Sequence, residues 1–116
     1  MPSDPRQALE DIRNHIVLAQ TWTGALTIEQ FANDQQIFYA VTRCLAIISE
    51  AARRLPDDML KRHPAIIWRA VKAAGNVYRH QYEDVLEKDV WNTVHHHLPT
   101  LAAFVQAEQG EQGDLS

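Results

Sequence analysis

The sequence has only one cysteine, Cys44, in 116 residues. A lone thiol excludes an intramolecular disulfide and points to a reducing compartment. Cys44 falls in the apolar run Cys44-Leu45-Ala46-Ile47-Ile48 and is expected in the core. No apolar run approaches the roughly 18–20 residues of a membrane span. The start, Met1-Pro2-Ser3-Asp4-Pro5, has no basic stretch leading into an apolar one, so no secretory signal is expected. The expected location is the cytoplasm, with no membrane partner. Also missing are a glycine-rich phosphate loop, a Cys/His zinc spacing and any alternation of strand length. His95-His96-His97 does not replace the zinc spacing. Successive helical residues point about 100° apart, so the three cannot all ligate one ion, and neither a metal nor a cofactor is expected. His15 and His63 have no partners at ligand spacing.

What remains is helix. The length suits one domain, expected over residues 1–105, with a polar, frayed tail over 106–116. Asp4-Pro5 opens a helix whose apolar face is Leu9, Ile12, Ile16 and Ala19, closing near Gly24. Thr27 and Gln30 form a capping box for a short helix. Asp34 caps a long, central helix through Ile37, Val41, Cys44, Leu45, Ile48 and Ala52, which stops before Pro56. Residues 57–63 read as a short helical turn. Pro64 is expected to open a helix through Ile67, Val71, Ala74 and Tyr78. The polar segment 80–89 reads as a connection, and a last helix runs from about Asp89, kinked or split at Pro99. Trp22, Trp68 and Trp91 read as core anchors. The expectation is an all-α, up-and-down bundle of about five helices. A chain of this size buries only about 65% of its unfolded surface, so a homodimer would improve its burial.

Net charge is −4, which argues mildly against a protein that coats nucleic acid. The distribution is uneven. Residues 43–79 carry eight basic and three acidic residues, a balance of +5, against −3 before them and −6 after. A local basic zone attracts phosphate; a set of solvated helix faces would look the same. Within that zone, Arg69, Lys72, Asn76 and Arg79 share one helical face, and Lys72, Asn76 and His80 extend the stripe. Cations, an amide and an imidazole in one line suit a phosphodiester, with cations on the phosphate and His moving a proton. A solvated amphipathic face with a capping His explains the same residues. Arg43 and Glu50, seven apart on the central helix, read either as a structural ion pair or as the lining of a polar pocket shared with that face.

Together the residues form a larger pattern. Arg43 through Glu50-Ala51-Ala52, then Pro64 and Trp68, then Gly75-Asn76-x-x-Arg79-His80-x-Tyr82, then Val90-Trp91 and His97-Leu98-Pro99, resemble the HepT family of HEPN toxins. The similarity covers about residues 6–105. The resemblance implies an all-α homodimer with a cleft at its interface and a metal-independent endoribonuclease that attacks through the RNA 2′-OH. It also implies an antitoxin partner, an MntA-like minimal nucleotidyltransferase. Carried over residue by residue, Asn76 matches the motif's polar position, His80 its catalytic His, and Tyr82 the Tyr that the antitoxin adenylylates. Gly75 stands where the family has Arg. Arg79 is the preferred replacement cation, for its fork of donors, with Lys72 second. Lys72, Arg43 and Glu50 are the expected substrate-binding residues. A second reading, motivated by Gly75, is a catalytically weakened module that serves as binding partner or adenylylation substrate of a nucleotidyltransferase.

Overall fold

The computed structural model describes residues 4–76 and 83–113, all helix, turn or irregular chain with no strand among them. Helix α1 spans Pro5–Thr23. The Asp4 side chain accepts from the Arg6 N–H at 2.9 Å, and Pro5 occupies the first turn, where its missing N–H is no loss. Leu9, Ile12, Ile16 and Ala19 are buried, as their spacing predicts. The short α2, Ile28–Ala32, starts on the expected capping box. Thr27 Oγ1 accepts from the Gln30 N–H at 3.1 Å, and Gln30 Oε1 from the Thr27 N–H at 2.9 Å. Helix α3, Gln35–Arg53, is capped by Asp34 and buries Phe38, Val41, Cys44, Leu45 and Ile48. Burial raises the pKa of the Cys44 thiol.

The short α4 spans Asp57–Lys61 and α5 spans Trp68–Ala73. Helix α6, Glu83–Asn92, runs into a π-helical turn, Thr93–His97, and then α7, Leu98–Gly113. Helix α1 packs along α3 and α7, α5 lies on α3, and α2 bridges α3 and α6. Phe31 of α2 marks that bridge, with its ring edge-on to Phe38 at 6.0 Å and tilted against Trp91 at 5.5 Å. The result is an all-α bundle. Among the described residues no helix is long and apolar enough to cross a membrane.

Several expectations change. The segment expected as a connection is helical from Glu83, because Leu86 and Val90, one turn apart, find the core while Lys88 and Asp89 face water. Pro99 does not split the last helix. The Leu98 N–H reaches back five residues to the Thr93 carbonyl, so the chain admits one wide turn just before the proline that cannot donate. Residues 106–110, expected to fray, are helical, and Glu108 there is buried. Trp22 is 38% exposed and is no core anchor, whereas Trp68 and Trp91 pack against the core.

Candidate functional site

The stripe of Arg69, Lys72, Asn76 and Arg79 presupposes one helix from Pro64 to beyond residue 78, and the described part of that helix is shorter at both ends. Pro64 lies in a turn closed by the Ile66 N–H on the His63 carbonyl at 3.2 Å. Helix α5 begins only at Trp68, whose indole donates to the Leu60 carbonyl at 3.1 Å and whose ring meets Phe104 edge-on at 4.7 Å. Those two tertiary contacts, more than the proline, decide where the helix starts. At the other end α5 closes at Ala73, and the Asn76 N–H reaches back three residues to the Ala73 carbonyl at 3.0 Å. Asn76 is exposed on non-helical backbone, so helical spacing does not place it on the face of Arg69 and Lys72. Arg79, His80 and Tyr82 lie outside the described residues.

The end of α5 is fastened to α3. Gly75 presses its backbone onto that helix so closely that a Cβ would stand 2.7 Å from Ala46 Cα and 3.1 Å from Ser49 Oγ. No side chain fits there without moving backbone, so an arginine at this position would have to push the end of α5 away from α3. The Gly75 N–H donates to Ser49 Oγ at 2.8 Å, and Ser49 Oγ donates to the Val71 carbonyl at 2.8 Å. Arg53, one turn further along α3, donates to the Lys72 carbonyl at 2.8 Å. Ser49 is 1% exposed, while Arg53 is exposed.

On α3, positions 43, 46 and 50 share a face. Ala46, the seat of Gly75, thus lies between Arg43 and Glu50, both exposed. Those two form no ion pair with each other; two helical turns separate them. Lys72 is half-buried in the last turn of α5. Arg43 and Glu50 on α3, Arg53 bonded to the Lys72 carbonyl, and Asn76 next to Gly75 in the chain thus belong to the two segments that meet where Gly75 packs on α3. Beside it an apolar cleft of about 560 Å³ opens between α3, α5 and α7, lined by Leu45, Ile48, Val71, Ala74, His97 and Leu101.

Ser49 and Arg53 were not singled out from the sequence. Ser49 carried a signal, a hydroxyl inside the apolar run Ile47-Ile48-Ser49 of a central helix, which must find a partner. Arg53 carried none beyond its charge. A second cluster was also missed. Buried Glu108 accepts from Arg62 Nη2 at 2.6 Å and meets His63 Nε2 at 2.6 Å. The His63 ring stands edge-on to Phe104 at 4.6 Å. The Arg62 hydrogen bond, with help from His63, holds the Glu108 carboxyl below the usual glutamate range against the opposing pull of burial. This cluster ties the loop before α5 to α7. Arg54 similarly ties α3 to α1 through Asp11 at 2.8 Å and lowers the Asp11 pKa. Among the described residues no group of three or more His, Cys, Asp or Glu converges as a metal site would require.

Comparison with known proteins places the chain in a family. The family model described as ribonuclease HepT-like matches residues 6–108. A protein named probable ribonuclease HepT from Thermococcus cleftensis is 34% identical over 101 residues, covering 87% of this chain and 92% of the relative. A protein of Methanocaldococcus jannaschii, named as a candidate RNase, is 31% identical over 98 residues, 84% of each chain. Another so named, from Caldanaerobacter subterraneus subsp. tengcongensis, is 27% identical over 102 residues, 88% of this chain and 91% of its own. No solved structure gives a significant match. With nearly its whole length matched, the chain belongs to the HepT-like ribonuclease family.

Proposed function

We propose that the protein is a metal-independent endoribonuclease, the toxin of a HepT/MntA-type pair, acting as a homodimer. The observation that carries this reading is the family match across residues 6–108, which takes in the whole segment Gly75-Asn76-x-x-Arg79-His80-x-Tyr82. RNA brings its own nucleophile. His80 removes the proton from the 2′-OH, whose oxygen attacks the adjacent phosphorus. The P–O5′ bond breaks, leaving a 2′,3′-cyclic phosphate, and a proton returns to the departing 5′ oxygen. Charge develops on the phosphate oxygens in that step. Arg79, with Lys72 and Arg43 near the Gly75 seat, supplies the compensating cations, and Asn76 orients the substrate. Glu50 flanks the same seat, and its carboxylate accepts from RNA hydroxyl or base amino groups to hold the strand in register.

A chain with Ile67 69% exposed beside an apolar cleft leaves a surface that a second copy would cover, which supports the homodimer. Tyr82, two residues past His80, is the side chain that a nucleotidyltransferase antitoxin would adenylylate, setting bulk and negative charge beside the phosphate site. The weakened-module alternative drew on Gly75 standing in place of the motif Arg. Its contact with Ala46 gives that glycine a packing reason of its own, so its presence does not by itself argue for a lost activity.

The test is cleavage of RNA by purified protein in EDTA, with growth on expression of the chain alone as a second readout. Wild type should cleave and arrest growth. His80→Ala should stay folded by circular dichroism and lose about 10²–10⁴-fold in cleavage rate, the usual worth of a general acid or base. Full activity of His80→Ala, or a wild type that is inert and harmless, defeats the reading.

A further inference from the structure

We infer that Ser49 and Arg53 of α3 are positioning residues for RNA cleavage, because they cap the C-terminal end of α5 and so fix the point from which the Asn76–His80 segment departs. The inference rests on the ribonuclease reading of His80 and adds to it two residues that never meet the substrate through the Ser49 hydroxyl or the bonded Arg53 nitrogen.

Helix α5 has six residues, none of them fully buried, and is too short to persist on its own. Its last carbonyls need partners. Helices commonly find them by turning the chain into the left-handed region at a glycine, but no described residue here has positive φ. Local turns supply part of the need, from the Ala74 N–H to the Val71 carbonyl at 3.3 Å and from the Asn76 N–H to the Ala73 carbonyl at 3.0 Å, and another helix supplies the rest. Ser49 donates to the Val71 carbonyl and Arg53 to the Lys72 carbonyl, so consecutive carbonyls of α5 are both closed from α3. Ser49 then uses its oxygen a second time, accepting from the Gly75 N–H, and Gly75 sits flush on Ala46. One buried hydroxyl thus holds both the last turn of α5 and the residue after it. Ser49 and Arg53 are four apart, so a single rigid helix sets both ties. The clamp acts five residues before His80 and one before Asn76. Release of the clamp would let that segment start from many positions, and a misplacement of about 1 Å costs on the order of 100-fold in rate.

The experiment compares wild type, Ser49→Ala, Arg53→Met, Gly75→Arg and His80→Ala on one RNA substrate, well below each melting temperature. Ser49→Ala and Arg53→Met should each lower kcat by about tenfold or more with KM little changed, because misplacement acts on the reacting geometry rather than on RNA binding. Arg53 is exposed, so its variant should fold even where a change at buried Ser49 does not. Gly75→Arg, which writes the family's arginine into the motif, should lower cleavage rather than raise it. A purely structural role would lower the melting temperature and leave kcat of the folded protein alone. A second readout does not depend on activity. Ser49→Ala should speed hydrogen exchange at the Gly75 amide and shift or broaden the His80 ring resonances, leaving those of His15 on α1 in place. If His80→Ala cleaves like wild type, the ribonuclease reading falls, and the two spectroscopic changes still decide the clamp. Wild-type kcat in both α3 variants, unmoved His80 resonances, or a gain in rate from Gly75→Arg overturns the positioning role.

Discussion

Helices α3 and α5 lie against each other and are held by opposite means. Helix α3 has 19 residues, a side-chain cap at its start and eight buried residues, so its own sequence makes it a helix and its apolar face places it. Helix α5 has six residues, no side-chain cap at its start and no fully buried residue. It is a helix because its neighbours complete its hydrogen bonds: Leu60 and Phe104 receive Trp68 at one end, and Ser49 and Arg53 close the carbonyls at the other. A protein that keeps its bulk in α1, α3 and α7 can carry the start of its HepT-like motif on a small, separately anchored element. Substitutions in the α3 core and at the ties between α3 and α5 should therefore report through different measurements, stability for the first and turnover for the second.

The largest effect on folding should come from the α3 core. Phe38 is 1% exposed and packs edge-on to Phe31. Phe38→Ala should cost about 3–5 kcal/mol in urea unfolding, the usual range for a buried aromatic. A loss under about 1 kcal/mol would mean the contrast between α3 and α5 is not one of core burial.

Next comes the tie from the loop before α5 to α7. Glu108→Gln should destabilise by about 1–3 kcal/mol at neutral pH, since it removes the charge from a buried, charge-assisted hydrogen bond. The sign with pH follows from the lowered Glu108 pKa. A carboxyl whose folded pKa lies below its unfolded value adds stability above the unfolded value, and that stability is lost as pH falls through the folded one. The gap between wild type and Glu108→Gln should therefore be full above about pH 5 and close progressively below the ordinary glutamate value of about 4.3. Unfolding curves across that range measure it, and a gap that widens in acid would refute it.

The smallest effect sharpens the comparison from the local side. Thr27→Ala removes one half of the capping box of α2 and should cost about 1 kcal/mol by thermal melting. It should leave RNA cleavage unchanged, because α2 packs on α3 and α6 and holds no part of the α5 clamp.

Much of this was legible in advance, for a stated reason. The caps at Asp4, Thr27 and Asp34 are local chemistry, readable within four residues, and the buried faces of α1 and α3 follow from period alone. The ends of α5 were misread because neither is encoded locally: both are set by partners 8 to 26 residues away in sequence. The first part of α6, residues 83–88, was missed because its short apolar pattern sits among charges, and only the packing of α6 on α2 gives those few side chains a core to join. Lys72 and Asn76 were read as one stripe on a continuous helix, but Asn76 follows the end of α5; Arg43 and Glu50, read as an ion pair or a pocket lining, flank Ala46 on α3, where Gly75 packs.

The sequence by itself determined an all-α chain with three strong caps, a central apolar helix and a motif that places it among HepT-like ribonucleases. All of these depend on residues close together in the chain or on a pattern that identifies relatives. The tertiary structure alone decided where α5 begins and ends, and why a glycine, not an arginine, stands at position 75. Those outcomes turn on a 2.7 Å approach between two backbones and on hydrogen bonds across helices, which no spacing within one segment encodes.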